Sequence, residues 1–122
     1  MTLRCLVVDD DREGAEALGA FLAMLGLDVR VVFSGRAAIE LAHAFEPRMV
    51  VLDINMPGLD GFETVKRLKQ QEWARVALFV AHTGMRREAA NGNDFANFHH
   101  VLTKGNGLKA LEAIVDGLRA ST

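Results

Sequence analysis

Five short apolar runs, four of them followed by residues at helical spacing, constrain this chain more than any other feature. The runs are Leu3 to Val8, Asp28 to Phe33, Met49 to Leu52, Val76 to Ala81 and Phe98 to Thr103. After the first, Ala15, Leu18, Leu22 and Leu25 recur every three or four residues and draw one face of a helix, which Gly26 ends. Ser34 caps a second helix running to Phe45, with Ala38, Leu41, Ala42 and Phe45 inward, and Pro47 prevents its continuation. Asp60 caps a third, from Gly61 to about Glu72, burying Phe62, Val65 and Leu68. Asn106 is the candidate cap of a last helix with Leu108, Leu111, Ile114, Val115 and Leu118 inward. Between Met85 and Asn97 the signal weakens, because Asn91, Gly92, Asn93, Asp94 and Asn97 oppose a helix, and a short or frayed one is expected there. Strands alternating with helices across short connections imply an α/β fold, a parallel sheet wound by right-handed crossovers. Met49 to Leu52 is apolar throughout, as a strand buried on both faces should be, whereas Asp28 to Phe33 alternates like an edge strand.

The 122 residues hold 14 Lys and Arg against 16 Asp and Glu, with no dense basic stripe, so a nucleic-acid-binding surface is not supported. One domain spanning residues 1–122 is expected from that length. The single Cys5 lies in an apolar run and reads as a packed, inert thiol of a reducing compartment. Met1 leads straight into the first strand, without a signal peptide, and no apolar run approaches the ~20 residues of a membrane span. A soluble, cytoplasmic domain with no membrane contact is the expectation.

The chemistry collects at the carboxyl ends of the strands. Asp9 and Asp10 follow the first, Asp53 the third, Thr83 the fourth and Lys104 the fifth. In a parallel sheet ordered 2-1-3-4-5 these ends are neighbours, where open α/β sheets place their ligands. Three carboxylates meeting there repel and raise one another's pKa unless a cation intervenes. Oxygen-only ligation suits a hard cation, Mg²⁺ before Ca²⁺. The hydroxyl of Thr83 and the ammonium of Lys104 would receive an anion. Together these groups describe a phosphoryl group attached to, or passing through, an aspartate. Taken singly each has an ordinary explanation: Asp10 or Asp11 as a helix cap, Asn55 as a turn residue, Lys104 as a solvated charge. His82, His99 and His100 are read as structural, the last two because neighbours on a strand point to opposite sides.

From end to end the chain resembles the receiver domain of two-component response regulators. The resemblance rests on Val7-Val8-Asp9-Asp10, on Asp53-Ile54-Asn55-Met56-Pro57-Gly58-Leu59-Asp60-Gly61, on Thr83-Gly84 and on Lys104. It implies a flavodoxin-like, doubly wound sheet of five parallel strands. It further implies that Asp53 takes a phosphoryl group from a phosphohistidine on a sensor histidine kinase or histidine phosphotransfer protein. Asp10 would ligate Mg²⁺ directly, Asp9 mostly through water and Asn55 through its backbone carbonyl, with Asp53 the fourth ligand. Thr83 would hydrogen-bond one phosphoryl oxygen and Lys104 would pair with another. A homodimer through the last strand and helix is a further partner of the kind the resemblance suggests.

The chain also departs from that pattern. Gly105 stands where the family usually has a proline joined by a cis bond, and a cis bond before a non-proline residue costs ~3 kcal/mol, so a trans bond is expected. Val101 occupies the place of an aromatic residue that swings inward on activation. Met85, two residues beyond Thr83, sits where the family tunes phosphoaspartate hydrolysis. The altered switch makes a receiver that binds partners without phosphorylation a competing expectation. A phosphohydrolase resembling the haloacid dehalogenases is a third, although Asp9-Asp10-Asp11-Arg12 lacks the Thr or Val of that motif.

Overall fold

The structure is a computed structural model that describes residues 2–84, 95–105 and 107–121. Five strands, β1 (Arg4–Val8), β2 (Asp28–Val32), β3 (Met49–Leu52), β4 (Leu78–Thr83) and β5 (His100–Thr103), form one sheet. Their order is β2-β1-β3-β4-β5 and all four pairings are parallel. The expected 2-1-3-4-5 sheet is therefore present, with β2 at an edge.

Among the described residues four α-helices cover the sheet: α1 (Arg12–Met24), α2 (Gly35–Phe45), α3 (Gly61–Leu68) and α4 (Leu108–Ala120). Side chains alternate along each strand and divide the core between two layers. Cys5, Val7, Met49, Val51 and Val80 pack with Leu18 and Leu22 of α1 and Leu111, Val115 and Leu118 of α4. Leu6, Val8, Val50, Leu52 and Phe79 pack on the other face with Ala38 and Ala42 of α2 and Val65 and Leu68 of α3. Leu52 and Phe79 are wholly buried, and truncating either to Ala removes about 2–5 kcal/mol.

The local signals act where they were read. Ser34 accepts from Ala37 N at 3.1 Å and Asp60 from Glu63 N at 2.9 Å, each satisfying a helix donor that has no partner within the helix. Gly26 follows α1 at φ +92°, a left-handed conformation that a glycine adopts without a side-chain clash. Asp11 stands before α1 without capping it through its side chain.

Several boundaries differ from expectation. The third helix stops at Leu68 rather than near Glu72, and Glu72–Val76 forms a 3-10 turn, so the fourth strand begins at Leu78 rather than Val76. Long-range contacts go with the earlier stop. Gln71 donates from its side chain to the Ile39 carbonyl of α2 and accepts from the Trp73 indole, which packs on Phe79. The last strand starts at His100 rather than Phe98, because Phe98 turns into a small cluster with Phe95. The expected short helix beyond Met85, Met85 itself and the proposed cap Asn106 lie outside the described residues.

Candidate functional site

Parallel pairing brings the tips of β1, β3, β4 and β5 to one end of the sheet. Asp9 N donates to Val32 O at 3.2 Å and Asp53 N to Val8 O at 2.8 Å, carrying the ladder one residue past each strand. Both carboxylates are thereby drawn into the protein, with Asp9 6% and Asp53 5% exposed, while Asp10 remains open to solvent. One oxygen from each of Asp9, Asp10 and Asp53 lies within 4.8 Å of the others. Lys104 is fixed by its backbone N–H on Thr83 O at 2.9 Å, and its ammonium reaches Asp9 Oδ2 at 2.9 Å and Asp53 Oδ2 at 3.6 Å. Thr83, the last residue of β4, is 1% exposed.

Backbone geometry orients these groups. Asp11 N donates to Asp9 Oδ1 at 3.0 Å and the Asn55 N–H donates to the Asp53 carboxylate. The turn after β3 closes through Gly61 N on Ile54 O at 3.0 Å. A β-carbon on Gly61 would collide with the Asp53 carbonyl oxygen and stand 2.7 Å from Ile54 Cα, so the first residue of α3 must be glycine for this approach. Past β5, Gly105 has φ +94° and a trans bond to Lys104, as its identity implied.

The charges are unevenly balanced. Burial, then the Asp9 charge, pushes the Asp53 carboxyl up to about 6, against the pull of Lys104; a hydrogen bond that the protonated Asp53 donates to Asp9 raises it further and the Asn55 N–H lowers it. Partial burial works against the Lys104 ammonium, but the hydrogen bond to Asp9 and the charges of Asp53, Asp9 and Asp11 outweigh it, and its pKa stands above the usual lysine range. Two buried carboxylates and a third at the rim face one ammonium, which leaves the cluster short of positive charge. An all-oxygen donor set of this density fits a hard divalent cation.

Of the five side chains that the sequence singled out at the strand tips, those of Asp9, Asp10, Asp53 and Lys104 are brought together, and Thr83 is buried at the end of β4 with its carbonyl accepting the Lys104 N–H. The histidines do not join them. His82 is half-buried beside Thr83, and burial and then the Lys104 charge lower its pKa. His99 accepts the Phe79 N–H at Nδ1, 3.0 Å away, and stacks on that ring, a structural role. The sequence reading missed the Lys104–Asp9 pair and the donor on Asn55, for which its carbonyl alone had been considered. It also overlooked the demand on Gly61, although a glycine directly behind a helix cap was a usable sign.

Known proteins resemble this chain in sequence and in fold. The sequence profile of the response regulator receiver domain matches residues 5–116. The transcriptional regulatory protein TctD of Salmonella typhimurium is 45% identical over 69 residues, which are 57% of this chain and 31% of that protein. The chain thus spans about a third of the length of the curated relatives it matches. A CheY-like receiver domain from Methylobacillus flagellatus superposes with a TM-score of 0.87 at 26% identity, covering 97% of this chain and 99% of that one. The receiver domain of the sensor histidine kinase PA1611 of Pseudomonas aeruginosa, solved with magnesium in its active-site cleft, gives 0.83 at 23% identity and covers 97% and 98%. A profile that reaches all but the first four and last six residues decides the matter: this chain belongs to the family of response regulator receiver domains.

Proposed function

We propose that Asp53 accepts a phosphoryl group from the phosphohistidine of a sensor histidine kinase or histidine phosphotransfer protein, and that the adduct changes what this domain binds. Receivers are signalling domains rather than turnover enzymes, and the only reaction proposed here is the domain's own phosphorylation and its reversal. The observation that carries the reading is Asp53 itself, a buried carboxylate held by the Asn55 N–H between the acids of β1 and the Lys104 ammonium.

With a pKa near 6, the carboxyl is ionised above pH 7 and available as a nucleophile. One of its oxygens forms a bond to phosphorus as the P–N bond of the donor breaks, and the electron pair returns to the imidazole nitrogen. The Lys104 ammonium, already 3.6 Å from Asp53 Oδ2, pairs with one phosphoryl oxygen, and the Thr83 hydroxyl donates to another. Asp9, Asp10 and Asp53, with the Asn55 backbone carbonyl, would hold Mg²⁺, which when bound supplies positive charge against the transferred oxygens. The magnesium in the PA1611 receiver cleft supports that choice of ion.

On this reading residues 1–122 are one receiver acting in the cytoplasm, without direct nucleic-acid contact, and able to pair with a second copy through β5 and α4. No described helix is long and apolar enough to cross a membrane. A second reading, a receiver that binds partners unphosphorylated, is favoured by Val101, which cannot make the rotation of an aromatic side chain. Intact mass after incubation with acetyl phosphate, with and without Mg²⁺, tests the first reading. One labile phosphoryl adduct that needs both the metal and Asp53 is expected, and Asp53→Asn should take none. An adduct that persists in Asp53→Asn overturns the assignment. The absence of any adduct, with Mg²⁺ binding retained, leaves the second.

A further inference from the structure

At the opposite end of β3 from Asp53 a cavity of about 600 Å³ opens to solvent between α4 and the starts of β4 and β5. Val76, Leu78, Ile114 and Leu118 give it apolar walls, and its charged or titratable lining residues are Arg48 and His100, both basic in type. We propose that it binds a small organic acid, a carboxylate carried on an apolar body.

Three observations lead there. Arg48 Nε is sealed from solvent without a hydrogen-bond partner, and its guanidinium makes no ion pair among the described residues. Arg48 as a whole is only half-buried, and its unpaired guanidinium, on the wall of a cavity without acidic lining, is open to an anion from outside through the nitrogens beyond the sealed Nε. A guanidinium matches a carboxylate with two parallel hydrogen bonds.

The second observation is Val76, 64% exposed although it is large and apolar, on the wall that a bound hydrocarbon would cover. The third is Gly117. It lies within α4, where glycine is the poorest helix former after proline, yet a β-carbon there would meet nothing within 4 Å. Packing within the protein does not require glycine at this position. Its effect is to leave the cavity wide. Apolar walls with one charged group to fix orientation, at this volume, are the usual construction of a small-molecule pocket. Inorganic phosphate would gain nothing from such walls, and the concave shape suits a compact ligand better than a flat protein face.

The test uses octanoate as probe, n-octanol as its uncharged counterpart, and amide chemical shifts of the full chain as readout. Saturable octanoate shifts confined to Leu78, Ile114, Gly117 and their neighbours are expected, with n-octanol at least tenfold weaker. Arg48→Met, which keeps the aliphatic stem, should weaken octanoate at least tenfold and leave n-octanol unchanged. Gly117→Met, which grows a side chain into open space, should weaken both. Dispersed shifts, equal binding of the acid and the alcohol, or octanoate binding undiminished in either variant overturns the proposal. A tight peptide complex at this cavity without octanoate binding does the same. None of these readouts depends on Asp53.

Discussion

The Lys104 ammonium stands closer to Asp9, at 2.9 Å, than to Asp53, at 3.6 Å. The lysine thus neutralises the carboxylates that a divalent cation would occupy, besides lying beside the proposed acceptor, Asp53. Unit charges 4 Å apart interact by about 1 kcal/mol in water and about 4 kcal/mol near a protein surface. Lys104→Met should therefore raise Mg²⁺ affinity by on the order of tenfold, measurable by calorimetric titration. Phosphoryl acceptance from acetyl phosphate should fall by roughly 100-fold in the same variant, the usual loss for one preorganised cationic or hydrogen-bond donor. Weaker Mg²⁺ binding would show that the lysine orders the acids rather than competing for them.

Asp53 makes metal-free stability depend on pH. Its folded pKa of about 6 lies above the 3.8 of the free side chain, so folding favours the protonated form. The stabilisation is complete below pH 4 and is lost as pH rises through 6; above that the ionised, buried group costs roughly 1–3 kcal/mol. Asp53→Asn should accordingly be more stable than wild type by that amount at pH 7.5, and by almost nothing at pH 4. Urea unfolding in EDTA at both pH values checks the sign.

Gly61→Ala should cost about 1–3 kcal/mol, because the added carbon has nowhere to go against the backbone of Asp53 and Ile54. Since the same backbone aims Asp53, the proposed acceptor, the rate of adduct formation should fall together with the melting temperature. A variant that is destabilised but accepts phosphoryl at the normal rate would separate the turn's packing from its aim.

Phe95 is 5% exposed and meets Phe62 edge to face at 5.3 Å, in a small cluster with Ile54 and Ala81. Phe95→Ala should cost about 3 kcal/mol, at the low end for a buried aromatic because the cluster is a satellite of the main core. Far-ultraviolet circular dichroism at 20 °C should be unchanged.

Most of the fold was legible because its signals are local or periodic. The caps at Ser34 and Asp60, the left-handed Gly26 and the unbroken Met49–Leu52 run each name their element without help from the rest of the chain. Residues Glu72–Val76 were not, since the contacts of Gln71 with Ile39 and of Trp73 with Phe79 depend on a neighbouring helix and strand. The strand-tip residues were legible in identity and position, because the α/β alternation dictates where strand ends meet. Their pairing was not: that Lys104 lies nearest Asp9 follows from loop geometry after β5, which no residue spacing encodes. Val101 belongs to the same class. Sequence shows that it lacks a ring, and only the structure shows it packed on the Ile54, Ala81 and Phe95 cluster that Phe62 and Phe98 also join.

The sheet order has a consequence for when this chain becomes chemically competent. Asp53 is flanked by groups that follow β1 and β5, and β1 pairs with β3 only after β2 and α2 have been crossed. No contiguous fragment ending before Lys104 holds the complete site. The proposed phosphoryl acceptance would therefore require β5 to be docked, with Lys104 beside Asp53. A copy ending before Lys104 would lack the proposed phosphoryl-pairing cation, and phosphoryl uptake would then report the docking of β5, the latest strand in sequence.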